Sequence, residues 1–149
     1  MRLLLDTQVY LWVVMADPKL SAATRAAIEN AERVFVSAAS IWEIGIKAQL
    51  GRIDADPDEL VAAIGQSGFA ELPVRALHAA AAARLPLHHR DPFDRLLVAQ
   101  AVTEPLRLLT ADALLVSYGD IVVRVDDARA ATGLAQRPKR RYEPAHARR

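Results

Sequence analysis

Three leucines running straight into a carboxylate, Leu3-Leu4-Leu5-Asp6-Thr7, constrain this chain more than any other stretch. A short continuous apolar run suits a strand buried on both faces, the situation in the middle of a parallel sheet. Arg2 to Leu5 is therefore expected to be a central strand. Asp6 then stands at its carboxyl end, the edge at which open α/β sheets bind ligands. Three later acids stand where a strand or loop gives way to a helix, or just inside that helix. They are Glu43 after Arg33-Val34-Phe35-Val36, Asp94 in His88-His89-Arg90-Asp91-Pro92-Phe93-Asp94, and Asp112 after Leu106-Arg107-Leu108-Leu109-Thr110.

Between these points the chain alternates strand and helix patterns. Gln8 to Ala16 reads as a helix with Val9, Trp12, Val13 and Ala16 on one face, ended by Asp17-Pro18. Ser21 suits the cap of a helix over Ala22 to Ala31. Arg33 to Val36 is the second strand, followed by a helix from Ser37 to about Gln49 that Gly51 stops. Pro57 suits the first position of a helix to about Gln66. Phe69 to Val74 reads as a third strand, with Pro73 favouring an edge. An Ala-rich helix (Arg75 to Arg84), a polar loop (Leu85 to Asp91) and a largely buried helix (Phe93 to Glu104) follow. Leu106 to Thr110, a short helix over Ala111 to Ser117, and a strand over Ile121 to Val125 complete the pattern. Asp126 to Thr132 reads as a last turn or two of helix. The alternation predicts an α/β fold with a mostly parallel central sheet flanked by helices.

The 149 residues fit one domain, expected over 1–134, with a basic, disordered tail over 135–149. The chain has no cysteine, which excludes disulfides, zinc–thiolate sites and thiol catalysis. No signal peptide or membrane span is visible, so a cytoplasmic protein without membrane contact is expected. Residues 137–149 carry six basic groups and one acid, whereas the other 136 residues hold 13 basic and 17 acidic groups. Such a tail suits either a polyanionic partner or a solvated end.

Each acid has an ordinary alternative role. Asp6, Asp94 and Asp112 lie where helices begin, and Asp is a preferred N-cap. Glu43 belongs to a Ser40-Ile41-Trp42-Glu43 capping-box pattern and stands four residues before Lys47. Because the preceding strand ends at Val36, Ser37 is the better cap, which puts Glu43 in the second turn among Ile41, Trp42, Ile44 and Ile46. A carboxylate in such company is a stronger ligand candidate than a surface Glu. Asp91 precedes Pro92 and competes with Asp94 for the roles of cap and ligand. His88 and His89 read as surface residues, Trp12 and Trp42 as core. Thr7 and Thr110 suit either a ligand-orienting role or a backbone contact.

Taken together, Asp6, Glu43, Asp94 and Asp112 are expected to converge on a divalent cation. Mg²⁺ and Mn²⁺ prefer hard oxygen ligands, and a dication relieves the repulsion among crowded carboxylates. Such an ion orients water, lowers its pKa and stabilises a phosphoryl group in transfer, so phosphodiester hydrolysis fits this residue set.

The same residues resemble the PIN-domain ribonucleases, specifically the VapC-like toxins of toxin–antitoxin pairs. The resemblance rests on Leu4-Leu5-Asp6-Thr7, on Ser40-Ile41-Trp42-Glu43-Ile44 with Lys47 and Leu50-Gly51, on His89 to Leu97 with Ala99-Gln100-Ala101, and on Leu109-Thr110-Ala111-Asp112. It covers about residues 1 to 126. It implies a PIN-like fold and a Mg²⁺- or Mn²⁺-dependent endoribonuclease whose acidic site is Asp6, Glu43, Asp94 and Asp112. It further implies an RNA substrate, a cognate antitoxin protein and a homodimer. Two rivals stand beside it. One is a phosphotransfer protein of receiver or phosphatase type, although the phosphatase pattern wants a second Asp where Gln8 stands. The other is a non-catalytic RNA- or protein-binding module on the same fold.

Overall fold

The computed structural model describes residues 1–125. The expected last helix from Asp126, the domain boundary at 134 and the basic tail lie outside the described residues.

Five strands form one sheet in the order β3-β2-β1-β4-β5, and every pairing is parallel. They are β1 Arg2–Leu5, β2 Arg33–Ser37, β3 Ala70–Leu72, β4 Arg107–Thr110 and β5 Val122–Arg124. The triple leucine is the central strand, as its apolarity requires. Leu3 and Leu5 face a core built with Val9, Tyr10, Val13, Ile28, Ile44 and Ile64, while Leu4 faces the opposite core with Leu97, Val98, Leu108 and Leu115. All three leucines are fully buried, each contributing about 2–3 kcal/mol of transfer free energy. Substituting any of them with a polar residue would open one of the two cores.

The helices are α1 Thr7–Met15, α2 Ala22–Glu29, α3 Ala38–Gln49, α4 Pro57–Gln66, α5 Ala76–Arg84 and α6 Pro92–Thr103. Ser37 caps α3, its hydroxyl accepting from Ala39 N at 3.0 Å. Gly51 leaves α3 with φ of 73°, a conformation glycine adopts without Cβ strain. β3 stops at Leu72, ahead of Pro73, and lies on the sheet edge. Among the described residues no helix is long and apolar enough to cross a membrane.

Several expectations shift. The segment after Asp112 is a 3₁₀ helix, Ala113–Tyr118. In α6 only Leu97 to Ala101 are buried, and Val102 is exposed. Trp12 packs against the core as expected, whereas Trp42 is 67% exposed. The reason is angular: Glu43 and Ile44 turn inward on α3, which carries Trp42 outward.

Candidate functional site

Because all strands run the same way, the residues that follow them meet at one edge of the sheet. Asp6 follows β1, and its N–H extends the ladder by donating to Leu109 O of β4 at 3.0 Å. The Asp6 carboxylate caps α1, with Oδ1 accepting from Val9 N at 2.8 Å, and its Oδ2 accepts a short bond from the Thr110 hydroxyl. Glu43 reaches the same place from the second turn of α3. Its Oε1 accepts from the Thr7 hydroxyl at 2.7 Å, and its Oε2 pairs with Lys47 Nζ at 2.9 Å. Asp6 and Glu43 are 5% and 8% exposed.

The other acids arrive from α6 and from the end of β4. Asp91 is the cap of α6, its Oδ1 accepting from Phe93 N (2.8 Å) and Asp94 N (3.2 Å). Asp94 is thereby free of capping in the first turn. Asp112 caps the 3₁₀ helix through Leu114 N at 2.9 Å, and Thr110 Oγ1 accepts from Asp112 N at 3.0 Å. Asp6, Glu43, Asp91, Asp94 and Asp112 line one cavity of about 300 Å³ together with Thr7, Gln8, Lys47 and Ala111.

Crowding and burial perturb two of these groups. Burial pushes the Asp94 carboxyl up to about 7, and the charges of Asp91, Glu43 and Asp6 add to it, against the opposing effect of His89. Burial likewise raises Asp6 to about 6, with Glu43 adding to the rise and the bonds from Thr110 and Val9 opposing it. A site that makes carboxylates this hard to ionise favours a bound cation.

The four acids expected from the sequence thus share one cavity, and the capping roles of Asp6 and Asp112 coexist with that placement. Between the two acids of the Asp91–Asp94 loop, Asp91 does the capping. The expected surface role holds for His88, which is exposed, and not for His89. His89 Nε2 lies 2.9 Å from Asp112 Oδ2 and 3.5 Å from Asp94 Oδ2, and one polar atom from each of these three residues lies within 4.8 Å of the others. Its Nδ1 accepts from Asp91 N at 3.0 Å. A neutral imidazole that accepts at Nδ1 carries its proton on Nε2. His89 is therefore a donor to the acids, and its ring is not presented as a metal ligand. The adjacent polar loop concealed this, because two loop histidines have no periodicity that marks one as inward. Arg95 and Tyr118, which hold that loop, are likewise not singled out by spacing.

The sequence matches the PIN domain family over residues 3–120. The chain belongs to this family. Among solved structures, the PIN domain here resembles VapBC2 from Rickettsia felis bound to a DNA fragment from their promoter. That match has a TM-score of 0.63 and 13% identity, covering 83% of this chain and 98% of that one. It also resembles FitAcB from Neisseria gonorrhoeae, at a TM-score of 0.59 and 20% identity over 83% and 97% of the two chains. A third similar structure is PAE2754 from Pyrobaculum aerophilum, at 0.58 and 20% over 91% of each chain. At these identities the likeness is one of fold. No curated protein matches this PIN domain in sequence. PIN domains generally are nucleases that use divalent metals.

Proposed function

We propose that this PIN domain is a metal-dependent endoribonuclease and the toxin of a toxin–antitoxin pair. The observation that carries the reading is the convergence of Asp6, Glu43, Asp94 and Asp112 from four separate elements on one cavity at the carboxyl edge of the sheet. In this reading they hold Mg²⁺ or Mn²⁺, because the set is all carboxylate oxygen and two members resist ionisation without a counter-charge. Bound there, the ion would supply Lewis acidity to activate a water and a counter-charge for the phosphoryl group.

The chain's own residues set the geometry. Thr110 and Val9 N orient the two oxygens of Asp6, Thr7 and Lys47 those of Glu43, and His89 one oxygen of Asp112. Attack by water on phosphorus breaks the P–O3′ bond, leaving a 5′-phosphate and a 3′-hydroxyl. A cognate antitoxin protein as partner is supported by the likenesses to VapBC2 and FitAcB, which are toxin–antitoxin complexes. A homodimer and a cytoplasmic location complete the reading.

RNA cleavage in EDTA against cleavage in Mg²⁺ or Mn²⁺, with the product ends sequenced, tests it. Cleavage should vanish with the chelator and return with the metal, and the new ends should carry 5′-phosphate. Robust cleavage in EDTA, or cyclic 2′,3′-phosphate ends, would remove the metal–water mechanism.

A further inference from the structure

The last turn of α5 and the loop between α5 and α6 turn carbonyls inward on a single guanidinium. Arg95 Nη2 donates to Ala82 O at 2.8 Å and Leu85 O at 3.2 Å. Its Nη1 donates to Pro86 O at 3.0 Å and faces His89 O at 3.4 Å and Tyr118 Oη at 3.2 Å. Tyr118 closes the arrangement, with its hydroxyl donating to Pro86 O at 2.7 Å and accepting from His89 N at 3.2 Å. Arg95 follows Asp94 on α6, and Tyr118 ends the 3₁₀ helix that Asp112 caps. These two side chains therefore tie α5, the loop, α6 and the 3₁₀ helix together directly behind two of the acids.

We propose that Arg95 and Tyr118 are positioning residues that hold the His89 imidazole as a fixed N–H donor to Asp112. The backbone of His89 is gripped at both its N–H and its C=O, one by Tyr118 and the other by Arg95. The ring is gripped at Nδ1 by Asp91 N, so the Nε2 proton has one direction left, toward Asp112 and Asp94. Loops are ordinarily the mobile parts of a fold. Here the rigidity comes from a planar fork that serves several carbonyls at once, which a lysine ammonium on its flexible stem does not reproduce. The consequence for metal affinity rests on the nuclease reading above: outer contacts that orient a ligating carboxylate are worth about 10–100-fold in affinity.

The test uses the full chain and two variants. Arg95→Lys keeps the charge and loses the fork, and Tyr118→Phe keeps the ring and loses the hydroxyl. Imidazole nitrogen NMR without metal, at slightly alkaline pH and with His89 assigned through His89→Gln, reads the ring directly. The parent should show a single Nε2–H tautomer, and both variants an averaged pair. Mg²⁺ titrations followed by melting temperature should then show the midpoint raised about tenfold in each variant. Tyr118→Phe should add little to His89→Gln, because the two act through one contact. An unchanged His89 spectrum in both variants would overturn the inference, as would fully additive effects of Tyr118→Phe and His89→Gln. A merely structural clamp would lower the melting temperature and leave tautomer and midpoint as they are. A parent that Mg²⁺ fails to stabilise would instead count against the metal site, while the spectra still decide the clamp.

Discussion

Two cavities of nearly equal volume, about 310 and about 300 Å³, use carboxylates in opposite ways. The first is a groove between α1 and α4, with Val14, Met15, Leu60 and Ala63 among its walls and Asp54, Asp56 and Glu59 around it. Those three acids are exposed, so water solvates each one. The second is the site, where Asp6 and Glu43 are buried and Asp94 is partly so. Size does not separate the two, and neither does the presence of acids. The difference is desolvation: in the site, burial and neighbouring carboxylates make Asp6 and Asp94 costly to ionise. The site is a set of buried and crowded carboxylates, whereas the groove is an apolar surface with a solvated rim.

The largest effect that tests this contrast is on activity. Asp94→Asn removes one crowded charge while Asp91 continues to cap α6, so RNA cleavage should fall by orders of magnitude. Met15→Ser in the groove should leave cleavage within about twofold, and stability within roughly 0.5 kcal/mol as for other exposed positions. A cleavage assay on both proteins decides it; equal losses would erase the distinction between the cavities.

Next in size is the pH dependence of the metal-free protein. Asp6 and Asp94 are raised to about 6 and about 7, while unfolded Asp titrates near 4. Between those limits the folded state holds more protons than the unfolded chain, so stability falls as pH rises through the window and levels off above it. Each unit of raised pKa corresponds to roughly 1.4 kcal/mol. That sets an upper bound of several kcal/mol, which solvent screening at the part-exposed Asp94 lowers. Urea denaturation from pH 4 to pH 8 measures this fall. The Asp94→Asn variant should show a shallower slope, and a parent whose stability is flat across the window would contradict the crowding.

Mg²⁺ should stabilise the parent by about 2.7 kcal/mol at 100 times its dissociation constant, and should stabilise Asp94→Asn less. Without metal, the same substitution relieves repulsion, so the variant should melt at or above the parent, by about 0.5–1 kcal/mol on the scale of close charge pairs. Melting curves with and without Mg²⁺ give both numbers. Equal gains from Mg²⁺ would take Asp94 out of the site.

The smallest effect concerns the tail. Both cavities carry more acids than bases among their lining residues, so a polyanionic substrate gains from positive charge elsewhere. Residues 137–149 supply six basic groups. Replacing those groups with neutral residues should lower the salt slope of RNA binding by about 0.7 for each phosphate that the tail neutralises. Turnover of bound RNA should persist. An unchanged slope would leave the tail outside RNA recognition.

How much of this was visible in the chain itself follows from the range of each interaction. The central strand, the cap at Ser37, the stop at Gly51 and the edge strand beside Pro73 are local patterns, set by a few neighbouring residues. Asp6, Glu43, Asp94 and Asp112 were legible as a group because strand ends in a parallel sheet share one edge, so a repeated local pattern implies a common place. Other assignments depended on contacts across the fold. His89 reaches Asp112 over 23 residues, and Arg95 reaches Tyr118 over the same distance. No periodicity encodes such a meeting, since it depends on how α6 and the 3₁₀ helix pack. The division of labour between Asp91 and Asp94, and the outward turn of Trp42, were decided there too. The sequence alone determined which acids gather at the sheet edge; only the packing of helices against that edge decided which side chains hold them in register, because orientation is fixed by neighbours far away in the chain.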